Sequence, residues 1–253
     1  MTKVAMITGA SSGIGKACAG IFARNGYRLI LNGRREARLR ELAAELAERH
    51  EAESYLLPFD VRERSAVEEA VASLPTEWKK IDILLNNAGL ALGLSPLPEG
   101  DPADWDTMID TNIRGLLHVS RAVGLLMRRA GEGHIIHIGS IAGKEVYPGG
   151  GVYCATKHAV DALNKAMRMD MLPYGIKVTA VNPGAVETEF SLVRFKGDAD
   201  RAKSVYRGYT PLTADDVAEA VFFVANRPPH VNIDDITVMP AAQAGATRFR
   251  KEG

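Results

Sequence analysis

Tyr153 and Lys157 are the residues whose types and spacing most directly suggest chemistry. They lie four apart in a segment of helical period, so their side chains share one helix face. An ammonium beside a phenol favours the phenolate and is expected to lower a phenol pKa of roughly 10. Such a tyrosine can give a proton to a nascent alkoxide or take one from an alcohol. The spacing alone also fits an ordinary surface pair.

Other polar groups follow apolar runs that are predicted to be strands. Ser140 comes just after the run at 134–138, and its hydroxyl could hydrogen-bond a substrate oxygen as charge develops on it. Asn112 lies in a long segment of helical period, and Asn-Asn-Ala-Gly occupies 86–89. Each has a plainer interpretation, Asn112 as a satisfied helix amide and Asn87 as a turn former. Their joint occurrence at strand ends indicates a catalytic site.

A glycine-rich segment at 8–15 joins the first apolar run to the first segment of helical period. Its glycines let the backbone approach a pyrophosphate, and a helix beginning near Ile14 directs N–H groups and its positive dipole end at the anion. The spacing Gly-x-x-x-Gly-x-Gly is looser than the Gly-x-Gly-x-x-Gly fingerprint and also fits a plain turn. Its place between a strand and a helix favours dinucleotide binding.

The end of the second apolar run bears on which dinucleotide binds. An acid there would hold the ribose 2′-hydroxyl of NAD, whereas arginine can bind the 2′-phosphate of NADP. Arg34 and Arg35 follow the run, with no acid before Glu36. The arginine fork matches a phosphate in bidentate geometry, which favours NADP(H). The alternative is a pair of solvated arginines at the start of a helix.

Seven short apolar runs alternate with segments of helical period. The runs lie at 4–8, 27–31, 54–59, 83–85, 134–138, 176–181 and 236–239. The helical segments lie at 14–25, 35–50, 64–74, 103–129, 152–172 and 214–225. Near-continuous apolar strands and strict alternation indicate a parallel sheet buried by helices on both faces. We expect a single α/β domain over 1–253, with a doubly wound, Rossmann-type sheet of seven parallel strands that binds ligands at the strands' carboxyl ends.

The composition limits the class of protein. The 253 residues suffice for a sizeable core, and 31 basic against 31 acidic residues give no signal for nucleic acid or a membrane surface as partner. Two cysteines outside any CxxC pair and no apolar stretch near about 18 residues predict a soluble protein with reduced thiols. The start of the sequence lacks a leader-like pattern, so we expect a cytoplasmic location. The six histidines lack ligand spacing, so we expect no metal.

Together these motifs resemble those of the short-chain dehydrogenase/reductase family. The matching pieces occur in the family's order over nearly the whole chain: TGASSGIG at 8–15, Asp60-Val61, NNAG at 86–89, Asn112, Ser140, Tyr153-x-x-x-Lys157 and PGAVET at 183–188. The resemblance implies hydride transfer directly between a nicotinamide and the substrate carbon. It implies that Tyr153 donates the proton and Ser140 polarises the carbonyl. Lys157 would bind the ribose and modify Tyr153, and Asn112 would complete a water-mediated relay to Lys157.

The resemblance also implies a set of cofactor-binding residues. They are Gly9, Ser11, Ser12, Gly13, Ile14, Gly15, Arg34, Arg35, Asp60, Val61, Asn87, Ala88, Gly89, Tyr153, Lys157, Pro183, Gly184, Val186 and Thr188. Asp60 and Val61 would contact the adenine, Asn87 the adenine-side ribose region, and the 183–188 segment the nicotinamide. Some NADP-dependent relatives carry a basic residue where this chain has Ser12. In this chain Arg34 and Arg35 alone would then bind the 2′-phosphate.

In this family the segment 187–210 would form a lid over the substrate. It carries aromatic and basic side chains: Phe190, Arg194, Phe195, Lys196, Arg201, Lys203, Tyr206, Arg207 and Tyr209. Such a lid suits a small substrate with an acid group, bound by Arg194 together with Ser140 and Tyr153. A solvated amphipathic helix or a subunit contact is the alternative.

The strings at 87–93, 190–198 and 230–233 resemble the NADP-dependent serine and 3-hydroxy acid dehydrogenase subgroup, whose neighbours reduce small aldehydes such as sulfoacetaldehyde. The stretch 187–189 is shorter than in the hydroxy-acid enzymes, which points to an altered pocket. We expect an enzyme that uses NADP(H) on a short 3-hydroxy acid such as serine. A reductase of small aldehydes or ketones is the alternative. A dinucleotide-binding regulator without turnover is less favoured, because the catalytic residues are intact.

The two longest helical segments, 103–129 and 152–172, bear on assembly. They carry more apolar surface than one sheet face needs, and in this family they pack between subunits. The resemblance therefore implies a homodimer or homotetramer with two-fold axes. The sequence alone equally allows a thicker core within one subunit.

Overall fold

The structure, a computed structural model, describes residues 2–252. The strands in this part of the chain are β1 Val4–Ile7, β2 Arg28–Asn32, β3 Ser54–Leu57, β4 Ile83–Asn86, β5 Gly133–Ile138, β6 Ile176–Pro183 and β7 Asp235–Val238. All pair in parallel, in the order β3-β2-β1-β4-β5-β6-β7. The order reverses between β1 and β4, which is where such sheets bind ligands. The predicted doubly wound sheet of seven parallel strands is confirmed.

Helices connect these strands and cover both faces of the sheet. They are α1 Gly13–Arg24, α2 Glu36–His50, α3 Arg64–Ala72, α4 Pro102–Ile109, α5 Leu116–Ala130, α6 Gly151–Met171, α7 Glu189–Arg194, α8 Ala199–Ser204 and α9 Ala214–Ala225. The predicted helical segments nearly coincide with α1, α2, α3, α6 and α9. Within residues 2–252, no helix is both long and apolar enough to cross a membrane.

Alternate residues of the central strands enter two separate cores. In β1, Ala5 and Ile7 pack with α1, α2 and α9, whereas Val4 and Met6 pack with α3 and α5 on the other face. Successive side chains of a strand point to opposite faces, so burial of both faces favours apolar residues at most positions. This explains why the strands appear in the sequence as continuous apolar runs.

The predicted helix over 103–129 is divided in the structure. Between α4 and α5 the chain forms a π-helical turn at Asp110–Gly115. One such turn leaves the apolar period almost unchanged, so sequence periodicity does not reveal it. Turns of this kind are frequent at functional sites. This one contains Asn112, and the consequence for its side chain is described below.

The segment 187–210, which periodicity does not place, contains the short helices α7 and α8. The hydroxyls of Ser191 and Tyr206 lie 2.7 Å apart, and the Tyr206 hydroxyl donates to the Val186 carbonyl at 2.8 Å. These bonds tie the end of the segment to its start. The segment is thereby held across the carboxyl ends of the strands.

Candidate active site

The glycine-rich loop between β1 and α1 is fixed by the loop that follows β4. The backbone N–H groups of Asn87 and Ala88 both donate to the Thr8 hydroxyl at 3.0 Å. The Asn87 side-chain amide donates to the carbonyl oxygens of Thr8 at 2.9 Å and Gly9 at 3.2 Å. A Cβ at Gly15 would collide with the Gly9 carbonyl and the Asn87 amide, so only glycine permits this approach.

The N-terminus of α1 opens onto a cleft of 330 Å³. Ser12 and Ile14 line the cleft, and among the described residues no side-chain hydrogen bond from Ser12 caps the helix. The first N–H groups of a helix lack intrahelical partners and, with the helix dipole, favour an anion. The cleft is therefore suited to a pyrophosphate at this point.

Every residue that the sequence predicts to bind the cofactor lines this cleft, apart from Gly15, which packs behind the loop. Ser140 lines it as well. Further lining residues that the motifs do not single out are Asn32, Gly33, Phe59, Leu90, Thr111, Ile138, Gly139, Glu189, Phe190 and Val193. The predicted residues are thus brought together along one continuous groove.

Tyr153 and Lys157 lie on α6, and Ser140 follows β5. All three side chains are buried, being 8%, 7% and 9% exposed. The Lys157 ammonium donates to the carbonyl oxygen of Ile138 at 2.9 Å, which ties α6 to the end of β5. The Ser140 hydroxyl accepts from the Ala142 N–H at 3.1 Å, so its own hydrogen is available to another acceptor.

The expectation of a lowered pKa for Tyr153 is wrong for this geometry. Burial raises the pKa of the Tyr153 phenol, and the neighbouring Tyr147 adds to the rise, while a hydrogen bond with Ser140 and the charge of Arg194 oppose it. Burial also lowers the pKa of Lys157 to about 8. The phenol is therefore neutral near neutral pH, which is the form that donates a proton.

Asn112 joins the π-helical turn to both sides of the site. Its amide donates to the Leu90 carbonyl at 2.8 Å and to the Thr156 hydroxyl at 3.0 Å, and its carbonyl accepts from the Leu90 N–H at 2.9 Å. A Cβ at Gly89 would lie 3.2 Å from the Asn112 carbonyl oxygen and 3.7 Å from the Lys157 ammonium. Asn112 is not among the described residues that line the cleft. Its side chain positions the 87–90 loop against α6.

Arg34 and Arg35 both line the cleft. Arg35 donates to the Ser11 hydroxyl at 3.3 Å, and Arg34 lies 3.9 Å from Asp60. Asp60 is held by Arg62 with contacts of 2.7 to 3.1 Å. Burial raises the pKa of Asp60, but hydrogen bonds and charge from Arg62 outweigh it and lower that pKa overall. Both exposed arginines are available to a phosphate.

Arg194, at the end of α7, lies next to the Tyr153 ring. Its Nε donates to the Gly93 carbonyl at 3.1 Å and one terminal nitrogen donates to the Tyr147 hydroxyl at 3.0 Å. The other terminal nitrogen, Nη2, is buried and has no hydrogen-bond partner among the described residues. The guanidinium carbon is 5.7 Å from the centre of the Tyr153 ring. Arg194 and Tyr153 both line a second cavity of 250 Å³.

Several functional neighbours escape the motif reasoning. Tyr147 orients Arg194, Phe190 packs edge-on against Tyr153 with ring centres 5.7 Å apart, and Gln243 accepts from the Ala185 N–H at 2.8 Å. Glu189 lines the cleft from the first turn of α7. Only the sequence TEF at 188–190 hinted at α7, since Thr188 is its N-cap and accepts from the Phe190 N–H.

Comparison with known protein families gives one match that covers most of the chain. A family model described as short chain dehydrogenase matches residues 3–198. The NADP-dependent 3-hydroxy acid dehydrogenase YdfG of Salmonella typhi is 46% identical over 244 residues, which cover 96% of this chain and 97% of that protein. Sulfoacetaldehyde reductase 2 of Chromohalobacter salexigens is 46% identical over 245 residues, 96% of each chain.

Solved structures include close matches to the whole fold. The closed form of serine dehydrogenase complexed with NADP+ has a TM-score of 0.93 and 45% sequence identity, over 99% of this chain and 100% of that one. An alcohol dehydrogenase from the archaeon Thermococcus sibiricus, complexed with 5-hydroxy-NADP, has a TM-score of 0.85 at 29% identity. The likeness extends over the sheet, the cleft and the segment above it.

Replacing Gly15 by alanine tests the close backbone approach. Because the new Cβ would displace the Gly9 carbonyl and Asn87, G15A should weaken NADPH binding by at least about tenfold. The matched control is G20A on the same helix, where a Cβ would meet nothing within 4 Å. G20A should bind NADPH normally and gain roughly 0.5–1 kcal/mol of stability. Equal binding by both variants in fluorescence titrations would refute this role of the loop.

Proposed function

This chain belongs to the short-chain dehydrogenase family and is an oxidoreductase, and we propose that it interconverts a short 3-hydroxy acid and its carbonyl product with NADP(H). The observation that carries the substrate class is the Nη2 atom of Arg194 beside Tyr153, which is buried and has no hydrogen-bond partner within residues 2–252. A buried guanidinium donor without an acceptor is costly. A carboxylate on the substrate would supply that acceptor in the geometry that arginine prefers. The resemblance drawn from the motifs is confirmed by the family match.

The residues present fit a phosphorylated dinucleotide. The glycine loop forms a cradle that a Cβ would fill, the N-terminus of α1 faces the cleft, and Arg34 and Arg35 line it. The relatives named for NADP support this assignment. Tyr153, Lys157, Gly184 and Val186, which all line the cleft, would hold the nicotinamide end. When bound, the cofactor supplies the hydride, and the protein supplies orientation and proton transfer.

We assign the proton transfer to Tyr153 and the orienting contact to Ser140. The neutral phenol of Tyr153 gives its proton to the substrate oxygen in the direction of reduction, while the Ser140 hydroxyl donates to the same oxygen. Lys157 follows Tyr153 by four positions on α6, so its ammonium would favour the phenolate that remains. Asn112 keeps the 87–90 loop and α6 in register with these groups. Deep burial keeps competing water away from the reacting atoms.

A reductase of small acidic aldehydes is the second candidate. The sulfoacetaldehyde reductase at 46% identity favours it, and a sulfonate, like a carboxylate, would accept from Arg194. Both candidates share an anionic group beside the reacting carbon. Stereochemistry at that carbon would follow from which face Arg194 and Ser140 leave open.

The substrate class is tested by kinetics with paired substrates. We expect NADP+-dependent turnover of serine and other short 3-hydroxy acids, with neutral alcohols of the same size far poorer. R194A should raise KM for the acid by about tenfold or more and leave turnover of the neutral alcohol unchanged, because a charge-assisted hydrogen bond is lost. K203A, which removes a lysine from the exposed side of α8, is the matched control and should behave as wild type. A preference for bulky uncharged ketones, or equal losses on both substrates in R194A, would contradict the proposal.

The pH dependence of kcat/KM should follow the titration of Lys157. Its pKa is lowered to about 8, so the ammonium is present below that pH and is lost as the pH rises through it. We expect kcat/KM for carbonyl reduction to be level below about pH 8 and to fall above it. K157R should be slower but level through the same range, because arginine stays charged. Y153F should lack turnover at every pH. The same fall in K157R would assign the titration to another group.

We further propose a cytoplasmic homodimer or homotetramer. Large apolar side chains stand exposed on α5 and α6, with Leu125 42% and Met169 67% exposed. In the related family these helices pack between subunits, and covering such side chains would remove them from water.

Sedimentation tests this assembly. We expect a dimer or tetramer at micromolar protein, and L125E should shift the population toward monomer by placing a charge in the apolar contact. V146E tests whether the loop before α6 belongs to the same contact between subunits, since the Val146 side chain in that loop is 73% exposed. A wild-type monomer at micromolar concentration would refute the proposal.

A further inference from the structure

We propose that Arg38 sets the preference for a phosphorylated cofactor indirectly, by neutralising the Glu189 carboxylate that faces the same arginines as the 2′-phosphate. The inference rests on the proposed function in taking NADP(H) as the cofactor. It assigns a specificity role to two residues that lie outside the family's motifs in this chain. Arg38 belongs to α2 and Glu189 to α7, so the pair links two helices beside the cleft that Glu189 lines.

Glu189 is held at the edge of the cleft by its neighbours. It is the first residue of α7, and the N-cap Thr188 accepts from the Phe190 N–H at 3.2 Å. A Cβ placed on Gly13 would lie 3.4 Å from the Thr188 side chain, so the start of α7 rests on the glycine loop. The Glu189 side chain itself lines the cleft and is half exposed. An acid is thus built into the wall of an anion-binding groove.

The arginines share this carboxylate unequally. One terminal nitrogen of Arg38 lies 3.3 Å from both Glu189 carboxylate oxygens, whereas Arg35 lies 3.9 Å away. Arg35 is the N-cap of α2 and Arg38 lies in its first turn, and both side chains reach Glu189. Arg35 lines the cleft, but Arg38 is not among the described residues that do. Arg35 is therefore placed to bind a phosphate, and Arg38 to hold the acid.

The negative charge of Glu189 affects the binding of NADPH but not that of NADH. A phosphate monoester carries about −1.5 to −2 charge near neutral pH, and a carboxylate close to it would repel it. NADH has a neutral hydroxyl at that position, so the same carboxylate would not oppose it. With Arg38 present, the Glu189 charge is neutralised and Arg35 keeps only its longer contact of 3.9 Å with that carboxylate. Without Arg38, Glu189 would draw on Arg35 and oppose the phosphate.

Two other roles for Arg38 make different predictions. If Arg38 bound the phosphate directly, its loss would weaken NADPH binding whatever residue stood at 189. If the Arg38–Glu189 pair only fastened α7 over the cleft, its loss would weaken NADPH and NADH binding equally. The neutralising role alone predicts a defect specific to NADPH that is cured by removing the charge of Glu189.

The test measures dissociation constants for NADPH and NADH by nicotinamide fluorescence, which needs no substrate. Four proteins are compared: wild type, R38A, E189Q and R38A/E189Q. For R38A we expect NADPH binding about fivefold weaker and NADH binding changed by less than about twofold, because the site is half exposed and solvent screens the charges. R38A/E189Q should regain wild-type NADPH affinity, and E189Q alone should bind NADPH at least as tightly as wild type.

The matched control is R40A, which removes an arginine from the same helix where it pairs with Glu36 outside the cleft. It should leave both constants unchanged. An R38A defect that E189Q does not cure, or equal losses for both cofactors, would overturn the inference while leaving NADP dependence intact. A wild-type protein that binds NADH more tightly than NADPH would overturn the cofactor assignment and this inference together.

Discussion

The burial of the Lys157 ammonium is the constraint on which the rest of the site depends. This cation is 7% exposed and finds a backbone carbonyl, that of Ile138, as its acceptor. Such burial is costly, and it lowers the pKa of Lys157 to about 8. The neighbouring His137 is kept neutral, because burial and the Lys157 charge lower its pKa to about 3. The end of β5 and the face of α6 must therefore meet in one register.

Positioning around this cation falls largely to amide side chains. Asn87 fastens the glycine loop, and Asn112 fastens the 87–90 loop to α6. The Asn112 side chain both donates and accepts hydrogen bonds, and the Asn87 amide donates to two backbone carbonyls. A single side chain therefore fixes two segments. The two acids of the cleft are also held by neighbouring side chains. Arg62 binds Asp60 and Arg38 binds Glu189, and neither arginine is among the described residues that line the groove. An anion-binding groove can thus contain carboxylates without opposing its ligand.

Sequence reasoning succeeded where local pattern decides structure. Parallel strands covered by helices are mostly apolar, and all seven apolar runs marked strands. Strand ends drew attention to Ser140 and the 86–89 segment, whereas most of the cleft residues came from the family resemblance. The π-helical turn around Asn112 was missed, since it leaves the apolar period nearly intact. The Tyr153 pKa was wrong in direction because its spacing from Lys157 shows proximity but not burial. Short helices such as α7 carry too few turns for periodicity to reveal them.

The long separation of contacting residues has a consequence for how the chain folds. Ala88 bonds to a residue 80 positions earlier, and Arg38 meets a carboxylate 151 positions later. Contacts this distant in sequence cost loop-closure entropy before they contribute any stability, and they slow folding. The groove therefore exists only once strands from both halves of the chain have assembled. A ligand of the groove binds the fully assembled chain alone, and its concentration in the cell acts directly on the fraction of chains that remain folded.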